Sequence, residues 1–183
     1  MSSVLARWIP SKRRDRDVAA KLYEQAVAQA RLPIFYGPFR VPDTLDGRFD
    51  MVVLHVYLLL RRLRAEGLGG GTLAQALFDR MFADMDQCLR EIGVGDLSVG
   101  RKIKDMVKGF YGRSAAYDEG LNGNGAPLQA AVRRNVYGTV DVDNFTIDRM
   151  VNYIYTSESA LRLQNLSSVC RGEVTFDAPL DEA

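Results

Sequence analysis

One histidine and two cysteines are too few for most metal or redox chemistry, and they are all that this chain of 183 residues contains. Cys88 and Cys170 stand far apart with no second thiol near either. That spacing excludes a CxxC redox or zinc signature and makes two buried, reduced thiols the expectation. His55 has no converging histidine or cysteine, so it reads as a structural core residue bonded to a nearby carbonyl or acid, not as a catalyst or ligand. Long hydrophobic runs are missing as well. The longest, MVVLHVYLLL at 51–60, is about half of the roughly 20 residues that a bilayer span needs, and MSSVLARWIPSKRRDRD lacks the order of a secretory signal. Nor is there an excess of one charge. Lys and Arg number 24 against 23 Asp and Glu, a net +1, which argues against a strongly basic DNA or RNA binder. The expectation is a cytoplasmic protein without a transmembrane helix, a DNA partner or a cofactor.

What the chain does contain is helical periodicity cut by glycine and proline. Val18, Leu22, Ala26 and Ala30 share one face of a helix expected over 18–30, which ends before Pro33. LPIFYGPFRVPDTLDGRF, with Pro33, Pro38, Pro42, Gly37 and Gly47, cannot be one regular helix. Asp50 is a candidate cap for DMVVLHVYLLLRRLRAEG, whose centre is apolar nearly all round, the mark of a central buried helix. Thr72 opens TLAQALFDRMFADMDQCLREIG, with Leu73, Leu77, Met81, Met85, Leu89 and Ile92 at helical spacing against solvated acids. Further helices are expected at about 99–119, 128–137 and 145–170, the last capped by Asp143 or Asn144. Strand alternation and repeats are not found. The fold expected is all-α, a single-domain irregular helical bundle around a central apolar helix. Its divisions are a basic N-terminal arm at 1–16 that carries Trp8 and Arg7, a helical domain at 17–170 and a polar, fraying tail at 171–183.

Catalytic motifs fail on inspection. GDLSVGRK at 95–102 approaches a phosphate-binding loop, but Arg101 stands where the lysine is required and Lys102 where the hydroxyl is required. The preceding CLREIGV ends a helix instead of a strand. Gly93 and Gly95 do not make a dinucleotide fingerprint for the same reason. They read as structural helix punctuation, together with Gly112 and the core residue Phe110. No serine lies in a nucleophile elbow, and no histidine is placed to activate a thiol.

Two surfaces remain as candidates. On the helix after Gly95, Ile103, Met106, Val107, Phe110, Ser114, Tyr117 and Leu121 form a core face, while Arg101, Lys104, Lys108 and Tyr111 gather opposite, with Arg113 of the FYGR run beside them. This stripe is a candidate partner surface for RNA, anionic lipid or protein. The second is the proline-rich segment, whose Ile34, Phe35, Tyr36 and Phe39 are candidates for apolar contact with a partner.

QARLPIFYG, VPDTLDGRFDMVVLHVYLLLRRL, LREIGVGDLSVGRKIKDMVKGFYGR and AYDEGL together resemble the ubiquinol-cytochrome c chaperone family, bacterial relatives of the mitochondrial assembly factor for cytochrome b. The likeness runs from about Leu22 to near Cys170. It implies an all-helical, non-enzymatic assembly factor for respiratory complex III that holds newly synthesised cytochrome b until haem is acquired. The implied setting is the cytoplasmic face of the inner membrane, by peripheral contact. Mitochondrial members work with a small partner chaperone near the ribosomal tunnel exit, so a second chaperone subunit and the ribosome are the further partners the resemblance brings in. The alternative is a ribosome- or RNA-docking module that uses the basic helix face. With one histidine, bis-histidine haem ligation within a monomer is excluded.

Overall fold

The computed structural model describes the backbone of residues 5–68, 71–123 and 127–180, and side chains from Lys12 onward. Among these residues the structure is all-α, with helices joined by short turns and no strand. α3 (Leu45–Ala65) is the centre. Every residue from Met51 to Leu59 is buried, as its all-round apolar sequence requires. Thr44, not Asp50, caps it, accepting the Gly47 N–H at 3.1 Å. Asp50 lies further along the helix and turns inward to Arg113.

α1 (Leu5–Ala30) packs along α3 and α4 (Thr72–Glu91), and its Ala19, Ala26 and Ala30 let the backbones approach closely. It begins before the Val18 expected. Trp8 and Arg7 of the expected basic arm lie outside the described side chains. α4 continues through a tight turn into α5 (Asp96–Asn122), which lies against α4, α3 and α6 (Leu128–Asn135). α7 (Asn144–Leu163) closes the other side of α3, and Asp143 caps it by accepting the Thr146 N–H at 2.8 Å. α7 stops at Leu163 instead of running to Cys170. The buried Arg62 of α3 ends it, donating through Nε to the Leu161 carbonyl at 2.8 Å and through a terminal nitrogen to that of Gln164 at 3.0 Å. A short α8 (Leu166–Val169) follows. Both cysteines are free and half-buried, not fully enclosed.

The proline-rich segment is folded inward. α2 (Pro33–Tyr36) is a single turn with Pro33 at its start. Phe35 is 0% and Phe39 2% exposed. Their rings meet Tyr153 edge-on at 4.9 and 6.3 Å. Tyr137 fixes the stretch by donating to the Phe39 carbonyl at 2.7 Å.

The tail does not fray over its described part. Gly172, at φ 80°, turns the chain where a side chain would strike Lys21. The extended stretch beyond it is held by glutamines. Gln25 takes the Val174 N–H at 3.1 Å, Gln164 both accepts from and donates to Thr175 at 2.8 and 2.6 Å, and Gln29 donates to the Asp177 carbonyl at 3.0 Å. Phe176, 7% exposed, sits edge-on to the His55 ring at 5.1 Å. The tail therefore belongs to the core that surrounds α3.

His55 is wholly enclosed beneath that cover. Its Nδ1 must donate to the Met51 carbonyl at 2.7 Å, so the ring is neutral with Nε2 free to accept from the Tyr153 hydroxyl at 2.6 Å. Gln29 in turn donates to the Tyr153 oxygen at 3.0 Å. Burial lowers the histidine to about 4, opposed by the Met51 hydrogen bond.

Two outcomes are expected. Phe176→Ala should cost about 3 kcal/mol in urea unfolding. A loss under about 1 kcal/mol would mean that the tail contributes no core. Because the folded His55 value lies below the ordinary one of 6.5, its stabilisation is present above that pH and is lost as pH falls toward about 4. Unfolding titrated across this window should show a loss on the order of 3 kcal/mol, with His55→Gln less stable at neutral pH and flatter in slope.

Candidate functional site

The α4–α5 turn opens a trough on one side of the bundle. Gly93 makes the turn possible, adopting φ 86° just past the end of α4. Gly95 precedes α5 in extended conformation, and neither it nor the exposed Gly112 has a neighbour that an added Cβ would meet. Of the three glycines expected to be structural, only Gly93 is required by its backbone. Phe110 is core as expected, packed on Phe78 and Phe82 at 5.4 and 6.2 Å.

The trough, of about 660 Å³, runs between the start of α3, the end of α4, α5 and the α6–α7 connection. Its walls are largely apolar, with Leu45, Phe49, Met85, Leu89, Ile92 and Met106, and the charged Asp46, Lys102, Asp105 and Arg134 line it as well. Leu45 and Ile92 are 62% and 58% exposed, large apolar groups left without cover at its rim. Asp50, Arg113 and Asn135 form a polar floor. Arg113 approaches Asp50 Oδ1 at 2.7 Å, close but poorly aligned. That oxygen, Arg113 Nε and the Asn135 amide nitrogen are buried without a well-directed hydrogen bond. Burial raises Asp50 to about 6, against the pull of the Arg113 cation.

Arg113 is thus not part of the basic stripe. At about 100° per residue it lies roughly 120° or more round α5 from Arg101, Lys104 and Lys108, and Gly109 leaves the room through which it passes. The other stripe residues are exposed as expected. Tyr111 is 61% exposed, with one ring face stacked on Phe78 at 5.6 Å. The proline-rich candidates divide. Phe35 and Phe39 are core and offer no exposed surface, because they pack on each other, on Tyr153 and, through Phe35, on His55 of α3. Ile34 and Tyr36 are half-buried, and Tyr36 donates to the Ala30 carbonyl at 2.7 Å under the Arg48 guanidinium. Sequence reasoning missed the trough, since its walls come from four separate elements, although the apolar Met85, Leu89 and Ile92 beyond the core of α4 were visible. Among the described residues no group of His, Cys, Asp and Glu is arranged to hold a metal ion, and no helix is long and apolar enough to cross a membrane.

A family model described as ubiquinol-cytochrome C chaperone matches residues 38–176, a span that includes every wall of the trough. The chain belongs to that family. It is similar to ubiquinol-cytochrome-c reductase complex assembly factor 1 of Xenopus laevis, 26% identical over 136 residues that cover 74% of this chain and 68% of the frog protein. Its Mus musculus counterpart is 26% identical over 79% of this chain and 49% of its own length. The mitochondrial protein CBP3 of Saccharomyces cerevisiae is 29% identical over 86% of this chain and 48% of its own. The chain therefore spans about half the length of the mouse and yeast relatives. The crystal structure of the Cbp3 homolog from Brucella abortus superposes with a TM-score of 0.80 at 32% identity, covering 96% of this chain and 97% of that one. The family and its helical fold are those implied by the sequence motifs, and the family is one of complex III assembly factors.

The floor pair is open to a direct test. Arg113→Met should lower stability by about 2 kcal/mol near pH 8, below the full cost of orphaning a buried charge because the pair is part-exposed. Asp50 is raised, so it is charged only above about 6, and the loss should shrink as pH falls through that value. Adding Asp50→Asn should restore much of it in a double-mutant cycle.

Proposed function

We propose that this protein is a non-enzymatic chaperone that holds newly synthesised cytochrome b during assembly of ubiquinol-cytochrome c reductase, and that the trough beside α5 is the surface that holds it. The family match supports the assembly role. The observation that carries the site is the trough itself, an open and largely apolar channel rimmed by the uncovered Leu45 and Ile92. A client whose segments are destined for a bilayer offers apolar helices, and a helix laid into a groove is the common way to shield one. Met85 and Met106 suit the walls to more than one side-chain pattern, being flexible and polarisable. No nucleophile with an activating base is present among the described residues, so nothing in the trough supports chemistry on the client. The protein would work at the cytoplasmic face of the inner membrane, where such a client is inserted.

A strain lacking the gene should make cytochrome b but accumulate little assembled complex III, measured as haem-loaded cytochrome b against total synthesis. Normal complex III in that strain would refute the function. A photocrosslinker at Leu45 or Ile92 should capture nascent cytochrome b, and one at Phe35 should not. Capture only from Ile34 or Tyr36 would return the client to the proline-rich segment.

A further inference from the structure

The outer face of α5 is not explained by holding a client in the trough. Leu97, Arg101, Lys104, Lys108 and Tyr111 recur three and four residues apart and so fall on one stripe. At 1.5 Å per residue the stripe is about 21 Å long. All five are exposed, and Leu97 is 98% exposed, the highest value of any large hydrophobic group described. Several cations elsewhere are matched, since Arg61, Arg64, Arg62, Arg90 and Arg113 each face a carboxylate. Arg101, Lys104 and Lys108 form no ion pair or hydrogen bond among the described residues. Acids flank the stripe without entering it. Asp105 lies along one edge, Glu119 stands at the far end, and Asp96 is engaged by Arg90.

We infer that this stripe is a docking surface for an anionic lipid bilayer, with Leu97 seated among the acyl chains near the interface and the three cations at the phosphates. A leucine followed by cations and a tyrosine along one helical face is what an interface accepts. The leucine enters the apolar layer, the long cationic side chains reach to the headgroups, and the tyrosine lies at headgroup level. Nucleic acid fits less well. Unpaired bases need free aromatic faces, and the one aromatic ring here has a face already covered by Phe78, while Leu97 has no use on a phosphate backbone. The overall charge of +1 supplies little attraction, so the local stripe must provide it. The inference rests on the proposed function only for its setting beside the membrane. Vesicle binding is read without any client, so failure of one leaves the other standing.

The test is co-flotation of the full chain with phosphatidylcholine vesicles, with and without roughly one third phosphatidylglycerol, alongside a single-stranded RNA of mixed sequence. Binding is expected to the anionic vesicles and not to phosphatidylcholine alone, and to weaken with salt. Arg101→Glu, Lys104→Glu and Lys108→Glu together should raise the lipid needed for half-binding at least tenfold, and Leu97→Asn, which keeps every charge, by about threefold. Unchanged helical circular dichroism keeps both variants interpretable. No binding to anionic vesicles overturns the proposal, as does binding that the triple variant retains. Tighter binding to RNA that depends on the cations but not on Leu97 overturns it in favour of nucleic acid.

Discussion

The enclosure of α3 on every side is the constraint from which the rest of this fold follows. A helix with a single apolar stripe can lie on a surface, but one buried from Met51 to Leu59 must be surrounded before the chain is stable. α1, α4, α5 and α7 supply the walls, and the α2 turn and the tail close the remaining gap over His55. Burial then makes every polar group on α3 a liability until it is matched. His55 is satisfied at both nitrogens by Met51 and Tyr153. Tyr57, Arg61 and Arg64 converge on Asp118 of α5 at 2.7, 2.7 and 2.9 Å. Although burial works against the charge of Asp118, those donors hold it below the usual carboxylate range. Arg62 places two donors on the end of α7 and a third on Glu66. The polar groups of the central helix thus join it to two of the helices around it.

How far the sequence reveals this depends on whether a signal is local. The apolar run at 51–60 marks the central helix unaided, and the Gly93–Gly95 pair marks a helix boundary, because period and punctuation are properties of neighbouring residues. Phe35 and Phe39 show the opposite case. Their proline-rich setting rules out a long helix correctly, but whether aromatic groups in an irregular segment face a partner or their own core depends on Tyr153 and His55, more than a hundred and about twenty positions away. The tail misleads for a related reason. Its polar composition suggests fraying, yet Phe176 packs on His55 and the backbone groups flanking it are taken up by Gln25, Gln29 and Gln164, whose pairing no local pattern encodes. Arg113 stands next to the stripe in the FYGR run, yet its angle on α5 turns it to Asp50, because rotation and not sequence adjacency decides which face a helical residue occupies.

α5 therefore serves three directions at once, and each has its own chemistry. One side is core through Val99, Phe110 and Tyr117, one side carries Met106 and Arg113 into the trough, and the outer side carries the unpaired cations. A single long helix can do this only if its side chains do not compete for space. Gly109 leaves the volume that the Arg113 guanidinium occupies on its way to Asp50.

The floor of the trough limits how tightly it can hold anything apolar. Walls of leucine, isoleucine and methionine favour an apolar helix, at roughly 25 cal/mol for each Å² withdrawn from water. Seating that helix also completes the desolvation of an Asp50–Arg113 pair that is still partly exposed and imperfectly aligned, and such a cost can exceed the attraction within the pair. The two effects oppose, so the wall contribution must exceed the floor penalty by a modest margin for an occupant to be held and still leave. An all-apolar floor would remove the penalty and tighten the grip. On the proposed chaperone role a client has to leave for a growing complex, and there a charged pair beneath a largely apolar trough would favour release over a tighter grip.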